Sequence, residues 1–220
     1  LSPVYESISK TRSKLNKDKT LISFIGAPWT LLIYMLSLNK DKSSNQGQVE
    51  KKDITLILQI LNNYLSLHIK NQIDAGADIV QIFDSWSGLL EKQHLNKFCY
   101  EPNYKLVNFC REKKIPVICF PKGINENYKN FNNIVKPDGI NIDPMLEPNW
   151  CKKNLKNVVI QGGLDPKILL KSEKEITDAA TKYIETFRDI PYIFNLGHGL
   201  LPETDPDNVE KLIKHYRNFK

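Results

Sequence analysis

Arginine is scarce in this sequence: against 31 lysines and arginines together, only Arg12, Arg111, Arg188 and Arg217 carry a guanidinium. Phosphate and base-edge recognition lean on that planar fork, and the lysines are scattered along the chain, so nucleic acid is a poor partner for the +6 net charge. A solvated lysine-rich surface with a mild pull on anionic substrates fits better. Cysteine is sparse as well. Cys99, Cys110, Cys119 and Cys151 form no C-x-x-C pair, which argues against disulfide staples and a zinc knuckle and for buried thiols in a reducing compartment such as cytoplasm or plastid stroma. A glycine-rich phosphate loop is missing too: Gly197-His198-Gly199 has the first spacing of G-x-G-x-x-G, but Pro202 stands where the third glycine belongs. That weakens a dinucleotide-binding reading.

Long apolar runs are reduced to one. Residues 20–38 carry no charge over 19 positions, close to the roughly 20 that a bilayer helix needs. Gly26, Ala27 and Pro28 interrupt it between a β-rich half and a helix-forming half, and proline suits a first helical turn but breaks a spanning helix. The expectation is strand, tight turn and helix, not a membrane span. No basic segment with a following apolar core opens the sequence, so no signal or transit peptide is visible; Leu1 in place of methionine suggests a longer parent chain.

What is present is ordinary globular composition. The 220 residues, 41% hydrophobic and 25% charged, suffice for one domain over 1–220 with a real core. Six β-branched or aromatic runs, at 21–25, 78–83, 116–120, 139–142, 158–161 and 192–195, alternate with helical patterns. The clearest helix covers 49–75, with Ile54, Leu58, Leu61, Leu65 and His68 on one stripe; His68 there reads as packed structure. Others are expected at 1–15, 93–114 with a break near Pro102, 125–135, 148–155, 166–187 and from Pro206 onward, and 39–48 reads as a polar loop. Such alternation predicts an α/β fold with a parallel sheet, either an open doubly wound sheet or a (β/α)8 barrel. Six units are two short of a barrel.

In both architectures ligands meet the carboxyl ends of the strands. His198 is the one histidine at such an end, flanked by glycines that leave its ring room to face a ligand. Ser85 lacks a nucleophile elbow and reads as a hydrogen-bonding hydroxyl. Tyr34, nearly two turns into its helix, reads from the residues alone as packing. Asp143 and Asp165, each before proline, read as helix caps.

The strand ends are also recognisable. "FIGAPWTLLIYM", "AGADIVQIFDSWSG", "PVICFPKG", "VVIQGGLDP" and "NLGHGLLPETDPDNVEKLI" resemble, in order and approximate spacing, the uroporphyrinogen decarboxylase family of heme synthesis over about residues 5–216. The resemblance implies a single (β/α)8 TIM barrel, a homodimer, that decarboxylates the four acetate arms of uroporphyrinogen III to give coproporphyrinogen III without metal or organic cofactor. It places substrate contacts on Tyr34, Ser85 and His198, with Tyr34 and His198 closest to the chemistry, and pocket phenylalanines on Phe24 and Phe83. It makes the six runs strands three to eight. The family's R-Q-A-G-R segment after strand one and its aspartate after strand two have no counterpart in this sequence, so two strand–helix units are expected upstream. The rivals are a zinc- and corrinoid-dependent methyltransferase of the same superfamily, for which Cys119 lacks a histidine two places before it, and a non-catalytic tetrapyrrole-binding barrel. An open-sheet nucleotide binder is a further one.

Overall fold

Gly26, Ala27 and Pro28 divide the uncharged run as their chemistry requires. In a computed structural model that describes residues 1–37 and 51–219, the first half is strand β1 (Ile22–Gly26) and the second is helix α2 (Pro28–Ser37), with Pro28 in the first turn. Among the described residues no helix is long and apolar enough to cross a membrane.

The helix α1 (Ser2–Lys14) precedes β1, and the elements after α2 are α3 (Lys51–Asp74), β2 (Ile79–Asp84), α4 (Lys92–Leu95), α5 (Glu101–Glu112), β3 (Val117–Pro121), α6 (Tyr128–Val135), β4 (Gly139–Ile142), α7 (Pro148–Asn154), β5 (Val159–Gly162), α8 (Glu173–Phe187), β6 (Tyr192–Ile193) and α9 (Pro206–Asn218). The fold is α/β, with parallel strands and alternating helices, as the sequence pattern predicts. The loop expected at 39–48 and the helix start at 49 lie outside the described residues.

Three expectations need correction. The break near Pro102 is a π-helical turn, Asn96–Tyr100, that joins α4 to α5; Pro102 offers no N–H to the preceding turn, and the helix widens one turn before it. The helix expected over 166–187 is two elements, because Ser172 forms a capping box with Glu175 and starts α8 afresh after a 3-10 turn, Pro166–Leu170. The last strand ends at Ile193, and Leu196 meets Leu164 only in an isolated parallel bridge.

The chain divides into two compact units, Leu1–Ile124 with Asn133–Asp138, and Asn125–Asn132 with Gly139–Lys220. In the first, β1, β2 and β3 run parallel, with Ile22 opposite Ile79 and Phe83 opposite Phe120. Leu32, Leu58 and Phe98 form an apolar cluster behind them, flanked by Trp29, Ile54 and Leu61. In the second, β4, β5 and β6 are likewise parallel, and Phe131, Ile142, Ile160, Leu169 and Phe187 are buried. The four cysteines are free and buried, as expected; burial pushes the Cys110 and Cys151 thiols up to about 12, so they remain inert.

One border of the first unit is distinctive. Ala27 donates to the Phe83 carbonyl and Asp78 to that of Leu21, so odd-numbered residues of β1 face β2 and the backbone groups of Ile22, Phe24 and Gly26 face away. The Gln72 side chain donates to the Phe24 carbonyl at 3.1 Å and to His68 Nε2 at 2.9 Å. His68 Nδ1 lies 2.9 Å from the Tyr5 hydroxyl. His68 is thus structural, as its place on the stripe predicts, and burial lowers its pKa. A cavity of about 770 Å³ runs along this border, lined by Val4, Ile22, Phe24, Leu61, Tyr64 and Leu65 among others.

Candidate functional site

The carboxyl ends of β1 to β3 are tied to one another before any side chain faces outward. Ala27 N–H bonds the Phe83 carbonyl, Lys122 N–H the Asp84 carbonyl, and Gly88 N–H the Lys122 carbonyl. Ser87 Oγ donates to the carbonyls of Asp84 and Lys122 at 2.8 and 2.9 Å. Gly88 passes so close to Gly123 that a Cβ on it would stand 2.9 Å from the Gly123 Cα. The glycines here are demanded by two backbones in contact.

Within that frame the first turn of α2 grips the peptide that follows Ser85. Trp86 N–H donates to Thr30 Oγ1 at 3.2 Å, and Trp29 Nε1 donates to the Trp86 carbonyl at 3.0 Å. Thr30 Oγ1 in turn donates to Asp84 Oδ1 at 2.8 Å, while Asn103 Nδ2 donates to Asp84 Oδ2 at 3.0 Å. Asp84 is 1% exposed, and burial in the absence of a cation raises its pKa to about 6 against the donors around it. Sequence reasoning passed over Asp84, because its partners lie 54 and 19 residues away.

The predicted residues Tyr34, Ser85, Phe24 and Phe83 all belong to this unit. Tyr34 is half exposed and packs edge-on against Trp86, with ring centroids 6.1 Å apart. Phe24, 68% exposed, meets Phe83 edge-on at 5.9 Å, and Phe83 meets Phe120 in the same manner at 6.1 Å. The three rings form an aromatic wall across the strand ends. Among the described residues neither the Tyr34 nor the Ser85 hydroxyl has a hydrogen-bond partner. Lys122, half-buried at the end of β3, has no ion pair among them.

The second unit presents His198. Its loop is anchored by Gly197, whose N–H bonds the Leu164 carbonyl at 2.8 Å and whose Cα packs so tightly that a Cβ would lie 2.7 Å from Pro144. The neighbouring loop after β5 is pinned where Tyr192 and Tyr183 donate to the carbonyls of Gly162 and Gly163 at 2.8 and 2.7 Å. His198 itself is exposed and has no hydrogen-bond partner among the described residues. Asp165 caps the 3-10 turn through Lys167 N–H, as expected. Asp143 differs: its carboxylate accepts the Tyr128 hydroxyl at 3.1 Å, and α7 begins later with Glu147 at its N-cap. Among the described residues no group of three histidine, cysteine or acidic side chains stands together to hold a metal ion.

The engaged and unengaged groups separate cleanly. The carboxylates of Asp84, Asp143 and Asp165 accept hydrogen bonds within the fold, whereas the polar atoms of the Tyr34, Ser85 and His198 side chains have no hydrogen-bond partner among the described residues. Comparison with known proteins adds an independent line. The model of the family described as Uroporphyrinogen decarboxylase (URO-D) matches residues 1–219. Proteins named uroporphyrinogen decarboxylase from Orientia tsutsugamushi (strain Boryong) and Rickettsia bellii (strain RML369-C) are each 40% identical, over 226 and 227 residues, covering all of this chain and 66% of each relative. This chain therefore spans slightly less than two thirds of their length. Among solved structures, a methyltransferase from Methanosarcina mazei superposes with a TM-score of 0.80 at 16% identity, covering 98% of this chain and 64% of that one. A putative vitamin-B12 independent methionine synthase from Listeria monocytogenes gives 0.65 at 16% identity, with 98% and 68% covered. These last two establish the fold alone.

Proposed function

Because the chain belongs to the uroporphyrinogen decarboxylase family, we propose that the protein removes carbon dioxide from the acetate arms of uroporphyrinogen, yielding coproporphyrinogen. The observation that carries this reading is the edge-on row of Phe24, Phe83 and Phe120 in a unit whose Tyr34 and Ser85 hydroxyls have no hydrogen-bond partner among the described residues. An acetate on an electron-rich pyrrole holds its carbon dioxide because the electrons left behind lack a sink. Protonating the ring carbon beside the arm creates one. The C–C bond then breaks, its electron pair returns to the ring system, and carbon dioxide leaves; a second proton on the exocyclic carbon completes the methyl group, and the ring carbon releases the first proton to restore the pyrrole. A water-poor aromatic wall favours this step, since it solvates neutral carbon dioxide better than the carboxylate it comes from.

Tyr34 and Ser85 would donate hydrogen bonds to substrate carboxylates, and His198 would hold a carboxylate or pass a proton. Lys122 adds a cation suited to a polyanionic substrate. The reading includes closure of the parallel strands into a (β/α)8 barrel, with two further strand–helix units pairing along the bare border of β1, and assembly as a homodimer. A reducing compartment, cytoplasm or plastid stroma, suits four buried thiols. The methyltransferase rival has fold likeness at 16% identity in its favour and no matching ligand motif, so it ranks below decarboxylation.

The test is direct. The purified full chain is incubated anaerobically with uroporphyrinogen, and the products are oxidised and separated by chromatography. Successive appearance of porphyrins with seven to four carboxylates is expected; unchanged substrate at stoichiometric enzyme overturns the reading.

A further inference from the structure

Asp84 is the one strand-end carboxylate of the first unit that the proposed chemistry leaves idle, and it sits at a junction of four elements. It ends β2; Thr30 reaches it from α2 with both hydroxyl and backbone N–H; Asn103 reaches it from α5; the Cys99 thiol reaches it from the π-helical turn. We propose that Asp84 is a positioning residue: through Thr30 and the peptide of Trp86 it fixes where Ser85 and the Tyr34–Trp86 pair stand, and it does so only while ionised.

The direction of the hydrogen bonds makes the case. Thr30 Oγ has one proton, and it points to Asp84 Oδ1, which leaves the oxygen lone pairs turned toward Trp86 N–H at 3.2 Å. Asp84 therefore orients the hydroxyl, the hydroxyl holds the Trp86 nitrogen, and Trp29 holds the same residue's carbonyl. Ser85 lies between these two anchored residues, and the Trp86 ring is the surface that Tyr34 packs against. Both carboxylate oxygens already face donors, so an added proton finds a hydrogen where it needs a lone pair. The Thr30 hydroxyl must then turn its proton away from Asp84, and the lone pair it shows to Trp86 N–H is no longer set by the carboxylate.

The titratable groups that face Asp84 are the thiols of Cys99, on the π-helical turn, and Cys119, on β3; both are buried, and both are pushed to higher pKa by burial first and by Asp84 next or later. Neither is charged at neutral pH, and among the described residues no lysine or arginine side chain offsets the carboxylate. With its own pKa raised to about 6, Asp84 switches in mildly acidic solution. A simple buttress would also be buried and bonded. It would not link the state of one proton to the placement of a substrate-facing hydroxyl.

The inference rests on the decarboxylase reading, and its test separates the two. In the full chain, kcat and KM for uroporphyrinogen are measured from about pH 5 to 8 for the unaltered protein, Thr30→Val, Thr30→Ser, Asp84→Asn and Asp84→Asn with Ser85→Ala, alongside thermal melting. Thr30→Val and Asp84→Asn are expected to lower kcat/KM about tenfold, Thr30→Ser to restore it, and Asp84→Asn to remove the acid limb near pH 6. Adding Ser85→Ala to Asp84→Asn is expected to cost little more, since both act through one hydroxyl. An acid limb that survives in Asp84→Asn, or variants that melt earlier yet turn over normally when folded, overturns the proposal. If Asp84→Asn does not fold, the Thr30 pair decides. Absence of turnover by the unaltered chain overturns the decarboxylase reading, and this one with it.

Discussion

The loop that carries Ser85 and the loop that carries His198 are built on opposite plans. Ser85 is flanked by residues held from α2, β3 and α5, by Thr30, Trp29, Lys122 and Asn103. His198 projects from Gly197, whose backbone is clamped between Leu164 and Pro144, and beyond it Gly199 has nothing within 4 Å of where a Cβ would stand. The first loop has its side-chain environment dictated by distant partners; the second fixes one backbone point and leaves the ring at liberty. The role proposed for Ser85, meeting one substrate arm, suits the first plan, and the role proposed for His198, serving arms presented in turn, suits the second.

Glycine substitutions break the comparison most sharply. Gly88→Ala drives a methyl to 2.9 Å from the Gly123 Cα, where two backbones have to part, and is expected to cost about 3 kcal/mol in chemical denaturation. Gly199→Ala, facing open space, is expected to stay within about 0.5 kcal/mol.

The buried carboxylate comes next. A folded pKa of about 6, raised from 3.8, means that the native state takes up a proton before the unfolded chain does as pH falls. The contribution of Asp84 to stability is therefore greatest below pH 4 and is lost as pH rises through 6, by at most roughly 3 kcal/mol. Unfolding free energies measured across that window are expected to slope less in Asp84→Asn.

His198→Ala is expected to lower kcat/KM about 100-fold, equivalent to about 2.7 kcal/mol, with melting temperature unchanged, since the fold makes no use of the ring. A matching fall in melting temperature would place His198 in the fold. Tyr34→Phe keeps the edge-on contact with Trp86 and removes only the hydroxyl; a loss of about fivefold in kcat/KM is expected. The smallest effect belongs to His68. Its pKa is lowered by burial, so the unfolded state binds the proton more readily, and stability is lost as pH falls through about 6.5. His68→Gln is expected to flatten that slight decline in melting temperature.

Much of the scaffold was legible in the sequence because strand runs and helical stripes are local. Gly139–Ile142 was placed without error, and the other strands are displaced by about a residue or, for β6, cut short. The capping box of Ser172 and Glu175 is legible in the sequence, and it divides the helix expected over 166–187. The π-helical turn was not legible in kind, since Pro102 announces a disturbance and not its form. Candidate site residues emerged where glycines flank a polar side chain at a strand end, as at His198. Asp84 did not, because a buried acid is recognised by its partners, and Thr30 and Asn103 become neighbours only in the folded chain.

Among the described residues no strand pairs with the outer border of β1, and this has a practical consequence. Outward-facing amides at Ile22 and Gly26 beside an exposed Phe24 make a template that recruits any passing extended peptide. A preparation of these 220 residues by themselves is therefore expected to clump as it is concentrated, and a lysine at Ile22 to keep it in solution.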